Sequence, residues 1–270
     1  MLASLRPFIP GRVLRQSDFI QNAGTGIPDP TRWTNAGGDG AFSIAVNSGN
    51  KLRMTTAAGS GNSAQIWCTQ QRQPATDVGV LLLFSWATSG SCNFNISLRG
   101  NATEQGDGLP TNCYYLDMNA TGTPGLLIVQ RLASSDTTLA SANLNLSQSE
   151  LYWVRFEIVG ARLSAKIWHA IDTPEPQRSG TTAVAQITTA VDDGLAIPGA
   201  GTSNLSLRSL SASTRSVDVY RHILYEPGVS QSPTLLPQMM DMLNTTAAPV
   251  VGAAPPPANP LYRRLALIGR

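Results

Sequence analysis

The segment at residues 151–171, with the sequence LYWVRFEIVGARLSAKIWHAI, constrains the fold more than any other part of the chain. Apolar side chains recur at every second position on either side of Gly160 and Ala161, a period that is typical of β-strands with one buried face. A two-residue loop that begins with glycine suits a type II′ turn, so the segment is predicted to form a β-hairpin. The register that keeps the two faces separate pairs Ile158 with Leu163, Phe156 with Ala165 and Val154 with Ile167 on one face, and Glu157 with Ser164, Arg155 with Lys166 and Trp153 with Trp168 on the other.

The hairpin face that carries Trp153 and Trp168 is the best candidate for ligand binding in the sequence. If this face is exposed, the two indoles, flanked by Arg155 and Lys166, form a platform on which sugar rings can stack. The alternative is that the second sheet, a loop or an arm covers the face, as is usual for large aromatic side chains. Arg155 and Lys166 oppose each other in this register, and Glu157 lies diagonal to Lys166, where its charge reduces the repulsion.

Strand-like segments recur along the chain and are separated by clusters of Gly, Pro, Asn and Asp. The segment 78–86 is almost continuously apolar, which predicts a strand in the middle of a sheet. No segment has the pattern of an amphipathic helix. We therefore predict an all-β fold, a two-sheet antiparallel jelly-roll sandwich. Besides the hairpin, the predicted strands are 41–47, 51–56, 65–70, 78–86, 92–99, 113–119, 126–132, 138–146, 182–188, 205–210 and 217–225.

The two ends of the chain differ in composition from the region between them. Pro7 and Pro10 interrupt regular structure near the N-terminus, and eight of the 18 prolines lie in residues 227–270. We predict an N-terminal arm at 1–17, a sandwich at 18–226 and a Pro-rich C-terminal arm at 227–270. Such arms gain affinity by burying anchor side chains on neighbouring subunits. The predicted anchors are Arg6, Phe8, Arg12, Leu261, Tyr262, Leu265, Leu267 and Ile268.

The sequence WVRFEIVGARLSAKIW, followed by a Pro-containing loop, resembles the central hairpin of laminin-G-like, concanavalin A-like jelly rolls. It is similar in particular to versions found in bacteriophage virion proteins, and the resemblance covers residues 18–226 of the chain. It implies a structural component of a phage particle, in the tail, baseplate or head decoration, located in the virion. The arms would then bind copies of the same chain and other virion proteins. The alternative is a carbohydrate-binding module that recognises a host-surface glycan through Trp153 and Trp168.

Patterns that are typical of enzymes are absent from the sequence. Jelly-roll glucanases place their two carboxylates along one strand in an E-x-D-x-x-E pattern, and the sequence contains no such pattern. It also lacks the G-x-S-x-G motif of serine hydrolases and a phosphate-binding loop. We therefore predict that the protein is not an enzyme.

The sequence offers little for metal or nucleic-acid binding. Asp192 and Asp193 could supply oxygen ligands to Ca²⁺, although turn residues of this type are common, and no other cofactor is predicted. Cys68, Cys92 and Cys113 form no CxxC pair, which disfavours zinc, and Cys92 alternates with apolar residues as a buried thiol does. The net charge of +2 gives no reason to expect nucleic-acid binding. No apolar run is long enough to span a membrane, and no signal peptide is predicted.

Overall fold

A computed structural model of the chain describes residues 9–17, 19, 33–37, 42–47, 51–59, 63–68, 77–88, 90–101, 109–119, 121–171, 185–191, 197 and 201–228. Within these residues the regular structure consists of strands in two antiparallel sheets, which confirms the predicted all-β sandwich. No helix within them could span a membrane. The strands are β1 (Gly11–Ser17), β2 (Trp33–Gly37), β3 (Phe42–Asn47), β4 (Lys51–Thr56), β5 (Ser63–Cys68), β6 (Val78–Trp86), β7 (Cys92–Gly100), β8 (Cys113–Asn119), β9 (Leu126–Leu132), β10 (Ser135–Ala142), β11 (Tyr152–Val159), β12 (Arg162–His169), β13 (Ala185–Val191), β14 (Thr202–Ser209) and β15 (Arg215–Pro227).

The strands divide into two sheets that enclose one core. Sheet A has the order β13-β12-β11-β6-β15-β4-β3, with β1 also paired to β15, and sheet B has the order β10-β9-β8-β7-β14-β5-β2. Apolar residues at alternate positions of both sheets form the core between them. Strand β6 lies between β11 and β15, and all nine of its residues are buried. This confirms that 78–86 is a central strand.

The central hairpin forms with the predicted register. Strands β11 and β12 pair Ile158 with Leu163, Arg155 with Lys166 and Trp153 with Trp168. Gly160 has φ of 59°, whereas Ala161 is not in the left-handed region, which agrees with a type II′ turn. The core face of the hairpin is buried against sheet B, as the alternation predicts.

Strand β1 corrects the predicted arm at residues 1–17, because Gly11–Ser17 is part of sheet A. Strand β15 has 13 residues and pairs with β4 only over its first part, so its second part has a free edge that β1 fills. A register shift between Val13 and Arg15 breaks the alternation that would have marked the strand. Arg12 therefore lies in the sheet, where its Nη2 atom is 2.7 Å from Oε2 of Glu226.

Two further differences arise at turns. Strand β2 does not correspond to any predicted strand, and its Trp33 is buried in the core. Strand β10 starts three residues before its predicted position, because β9 and β10 are joined by a tight turn at Ala133 and Ser134. Both residues have positive φ, at 48° and 67°, without the glycine or asparagine that usually marks such a turn. The side chain of Asn112 supports it by accepting a hydrogen bond from the N–H of Ala133 at 2.7 Å.

Candidate functional site

The hairpin face that carries the paired tryptophans is buried. Trp153 is 3% exposed and Trp168 is 0% exposed, and the flanking Arg155 and Lys166 are 8% and 7% exposed. The two indoles pack in a second apolar cluster on sheet A that includes Ile223. The structure therefore shows that this face is covered, which was the alternative to an exposed platform for sugar rings. A ligand-binding role for these four residues stays a prediction, and it requires that this face be uncovered.

The charges on the same face form a compact buried network. The hydroxyl of Tyr225 donates a hydrogen bond to Oε1 of Glu157 at 2.6 Å, and Nη1 of Arg155 donates to the Tyr225 hydroxyl at 3.1 Å. The tyrosine ring lies over Gly79, where a Cβ atom would come within 2.5 Å of the ring. Burial raises the pKa of Tyr225 well above its ordinary value, so the hydroxyl stays a donor to Glu157. This network stabilises the sheet and offers no open binding surface.

A different set of polar side chains lies on the outer face of sheet B, on its three middle strands β8, β7 and β14. Phe94, Leu116 and Leu207 of these strands point into the core, so the residues that alternate with them point outward. Direct cross-strand pairing arranges the outward residues in three rows. These rows, which we call the polar face, are Arg208, Asn93 and Asn119; Ser206, Asn95 and Asp117; and Asn204, Ser97 and Tyr115.

Hydrogen bonds orient one end of the polar face. The backbone N–H of Thr121 donates to Oδ1 of Asn119 at 3.1 Å, and Nδ2 of Asn119 donates to Oδ1 of Asn93 at 3.1 Å. Nδ2 of Asn93 in turn donates to Oδ2 of Asp117 at 3.0 Å. Because an amide nitrogen carries two hydrogens, Asn93 and Asn119 each keep one N–H beyond this chain of hydrogen bonds. The amides are thus held in fixed orientations, as a binding site requires.

Several buried atoms of the polar face have no hydrogen-bond partner within the described parts of the chain. Most buried polar atoms in folded proteins have a partner, and leaving one without a partner costs about 1–3 kcal/mol. A concentration of such atoms on one sheet face indicates a place where water or a polar ligand completes the hydrogen bonding. The atoms are Oδ1 of Asn95, Oγ of Ser97, Oγ of Ser206, Oδ1 of Asp117 and Nε of Arg208.

Access to the polar face is graded. Arg208, Asn93, Asn119 and Asp117 are half-buried and therefore partly open to solvent, whereas the other five residues are buried. The row of Arg208, Asn93 and Asn119 crosses three strands, which spans roughly 10 Å at a spacing of about 4.8 Å per strand. A ligand can therefore reach a strip of guanidinium, amide and carboxylate groups supported by buried serines and asparagine.

Asp117 is the acidic group of the polar face. Burial and, to a smaller extent, the charge of Asp136 raise the pKa of Asp117 to about 7, and the charge of Arg208 opposes this shift. Asp117 lies opposite Leu127 on β9, and Asp136 lies opposite Arg131 on the same strand, so Asp136 acts on Asp117 through its charge and not as a directly paired residue.

The signal for the polar face was present in the sequence of β7. The alternation that predicts a buried Cys92 also places Asn93, Asn95 and Ser97 on the opposite face. Cys92 is indeed buried, and burial raises the pKa of its thiol to about 12. The sequence does not specify the order of the strands in a sheet. It could therefore not show that polar residues of β8 and β14 lie beside those of β7.

Other predicted site residues lie elsewhere. Asp192 and Asp193 are outside the described residues, so calcium binding by them stays a prediction, and within the described residues no group of three or more His, Cys, Asp or Glu could hold a metal ion. The anchors predicted for the arms, apart from Arg12, are also outside the described residues. They are Arg6, Phe8, Leu261, Tyr262, Leu265, Leu267 and Ile268.

Comparisons with known proteins bear on the fold. No protein-family model and no curated protein matches the sequence. The exoplasmic/lumenal domain of VIP36, in its form bound to Ca²⁺ and mannose, gives a TM-score of 0.55 at 13% identity over 76% of this chain and 86% of that one. Its metal-free form gives 0.53 at 14% identity over 78% and 91%. A structure reported with endo-acting O-glycanases of human gut microbiota gives 0.52 at 10% identity over 80% and 100%.

The chain shares its two-sheet β-sandwich fold with these structures. At these identities the likeness shows the fold alone, and it confirms the predicted jelly-roll sandwich. The link of this jelly roll to phage particles has no counterpart among these structures and stays a prediction. In the jelly roll of this chain, the polar face occupies the middle of sheet B.

Proposed function

We propose that the protein is a non-enzymatic carbohydrate-binding module whose binding site is the polar face of sheet B. The proposal rests on one observation. The side chains of Arg208, Asn93, Asn119 and Asp117 lie side by side on the sheet, next to buried polar atoms that have no hydrogen-bond partner within the described chain. Sugars present many hydroxyl groups that both donate and accept hydrogen bonds, and such groups complement amides, carboxylates and guanidinium groups. The VIP36 domain with the same fold was solved with mannose, which supports this proposal.

The sequence lacks the paired-carboxylate pattern of jelly-roll glucanases, which supports binding without hydrolysis. A titrating carboxyl group alone can accept or donate one hydrogen bond, but glycoside hydrolysis uses a second carboxylate on the other side of the bond. Calcium remains compatible with the proposal through Asp192 and Asp193, since the VIP36 structures include Ca²⁺-bound forms.

A role in a virion is compatible with this proposal. A phage structural component with a jelly roll and extended arms, as the resemblance implies, could present the polar face to a host-surface glycan. The virion location and the binding of the arms to further copies of the chain and other virion proteins remain predictions of that resemblance.

The Asn93→Leu variant tests the proposed site. The purified full-length protein is applied to a glycan array, and the glycans that it binds are used for affinity measurements with both proteins. We expect Asn93→Leu to weaken binding at least tenfold, because it removes an amide from the middle of the strip and the hydrogen bonds to Asp117 and Asn119.

The matched control is Asn145→Leu, the same replacement at an exposed asparagine outside the polar face. It should leave glycan affinity unchanged, and thermal unfolding curves show whether both variants remain folded. Failure of the parent protein to bind any glycan on the array, or equal affinities for the parent and Asn93→Leu, would contradict the proposal. If Asn93→Leu unfolds, Asn119→Asp, which retains the size of the side chain, replaces it in the same comparison.

A further inference from the structure

The environment of Arg208 indicates which class of glycan the polar face takes. Arg208 lies on β14 at one end of the strip, beside Asn93. Its side chain is half-buried, and its Nε atom is buried without a hydrogen-bond partner among the described residues. The ion pairs in the part of the chain that the structure describes include those of Arg12, Lys51 and Arg53. None of these ion pairs involves Arg208.

Arg208 lowers the pKa of Asp117 on the same face, but the two side chains form no ion pair in the part of the chain that the structure describes. Removing part of a cation from water is costly, and arginines that are partly buried usually bind a carboxylate or a phosphate-like group through their planar set of N–H donors. Other arginines of this chain follow that rule, since Nη1 of Arg155 is 3.4 Å from the Glu157 carboxylate and Nε of Arg53 is 2.7 Å from that of Asp218. Arg208 differs from these two arginines because, among the described residues, it forms no ion pair and its Nε atom has no hydrogen-bond partner.

We infer that the polar face takes an acidic glycan, whose carboxylate or sulfate group binds Arg208 while adjacent hydroxyls bind Asn93 and Asn119. This inference rests on the proposed function, because it names the class of sugar that the same site takes. The free N–H groups of the two amides lie in the same row as Arg208, so one ligand can contact all three residues. Both sources of negative charge, uronic acid and sulfate ester, present oxygens of the kind that guanidinium groups bind in pairs.

The charge of Asp117 makes this binding depend on pH. The charged groups that act on Asp117 are Asp136 on β10 and Arg208 on β14, and burial together with Asp136 keeps its pKa near neutrality. Above about pH 7 the Asp117 carboxylate is ionised and repels an anionic ligand on the same face. Below that pH it is protonated and the repulsion is lost, so affinity for an acidic glycan should rise as the pH falls from 8 to 6. A change of about three- to tenfold is expected for charges roughly 10 Å apart at a protein surface.

The test uses dextran sulfate, polygalacturonate and unmodified dextran, which separate sulfate, carboxylate and the neutral backbone. Affinity electrophoresis of the full-length protein measures retardation by each polymer. We expect retardation by dextran sulfate, polygalacturonate or both, with a several-fold gain at pH 6 relative to pH 8. Arg208→Gln should reduce affinity for the retarding polymer at least tenfold, whereas Arg162→Gln, at an exposed arginine of β12, should leave it unchanged. Asp117→Asn should raise the affinity at pH 8 and abolish the pH dependence.

Equal effects of Arg208→Gln and Arg162→Gln would overturn the inference, because they would show a general attraction between the protein and a polyanion. The inference also fails if neutral glycans bind in an Asn93-dependent manner and neither acidic polymer does, an outcome that leaves the proposed function standing. If no glycan of either class binds, both the inference and the proposed function are wrong. Unfolding curves for Arg208→Gln establish that a loss of binding is not a loss of fold, and Arg208→Lys, which keeps the charge and loses the planar donors, should bind more weakly than the parent.

Discussion

As the pH falls from 7 to 4.5, the free energy of unfolding of a His222→Phe variant is expected to rise relative to that of the parent protein. His222 is 0% exposed, and neither of its ring nitrogens has a hydrogen-bond partner among the described residues. Its ring meets the edge of Trp33 at a centroid distance of 5.0 Å. Burial, with a smaller effect of Arg15, lowers the pKa of His222 from 6.5 to about 3. The folded protein thus holds this imidazole neutral at a pH where the unfolded chain protonates it.

The sign of the effect follows from proton binding. Between pH 6.5 and about pH 3 the unfolded chain binds a proton at residue 222 that the folded protein does not, so the contribution of His222 to stability is lost as the pH falls. Each pH unit in this interval costs about 1.4 kcal/mol, which amounts to about 3 kcal/mol between pH 6.5 and pH 4.5. Asp117 acts in the opposite direction, because its pKa is raised in the folded state, and it partly offsets this loss.

The measurement is therefore the difference between His222→Phe and the parent in urea unfolding at pH 7 and pH 4.5. Phenylalanine keeps an aromatic ring against Trp33 and does not titrate. We expect the free energy of unfolding of the variant, relative to the parent, to rise by about 3 kcal/mol over this range. A difference that stays constant with pH would show that His222 is accessible to protons in the folded protein.

The second large change in stability is expected when Glu157, the carboxylate of the buried network on sheet A, is replaced. Glu157→Gln keeps the size of the side chain but removes the negative charge that lies 3.4 Å from Arg155 and accepts the 2.6 Å hydrogen bond from Tyr225. Arg155 and Lys166 then remain opposite each other on a buried face without that charge. Removing one partner of a buried ion pair typically costs about 3–5 kcal/mol, and we expect a loss of this size in the free energy of unfolding.

Tyr225→Phe is the matched control, because it removes only the hydroxyl and leaves Glu157 beside Arg155. Its expected cost is about 1–2 kcal/mol. Adding Arg155→Met to Glu157→Gln should recover part of the stability, since it removes one of the two opposed cations. Urea unfolding at pH 7 measures all three proteins. A loss below about 1 kcal/mol for Glu157→Gln would contradict the burial of this face, because that value is typical of solvent-exposed ion pairs.

The hairpin shows what could be predicted from the sequence. Its alternation and its glycine turn specify a register that the structure reproduces pair for pair, because a slip of one residue would expose Phe156 and bury Glu157 in the core. The same local logic places most of the other strands. Strand β1 could not be placed in this way, because its pairing depends on the free edge of β15, more than 200 residues away in sequence.

The site was harder to predict than the fold because it depends on neighbours. The alternation of β11 and β12 separates two faces, but only the packing of the whole sheet decides whether Trp153 and Trp168 are covered, and the structure buries both. The polar face likewise depends on β7 lying between β8 and β14, which no single segment specifies. Asn93 and Asn95 alone are ordinary polar residues, and they become a candidate site only beside Asp117 and Arg208.

The most direct test of the polar face as a glycan site is a titration of ¹⁵N-labelled protein with a glycan that it binds, followed by nuclear magnetic resonance. The side-chain amides of Asn93 and Asn119 report on the polar face, whereas the indole N–H groups of Trp153 and Trp168 report on sheet A. The account predicts that the two amides and the backbone amides of β7, β8 and β14 shift with the added glycan while both indole signals stay in place. Shifts of the indole signals with unchanged Asn93 and Asn119 amides would contradict it and place the glycan on the hairpin.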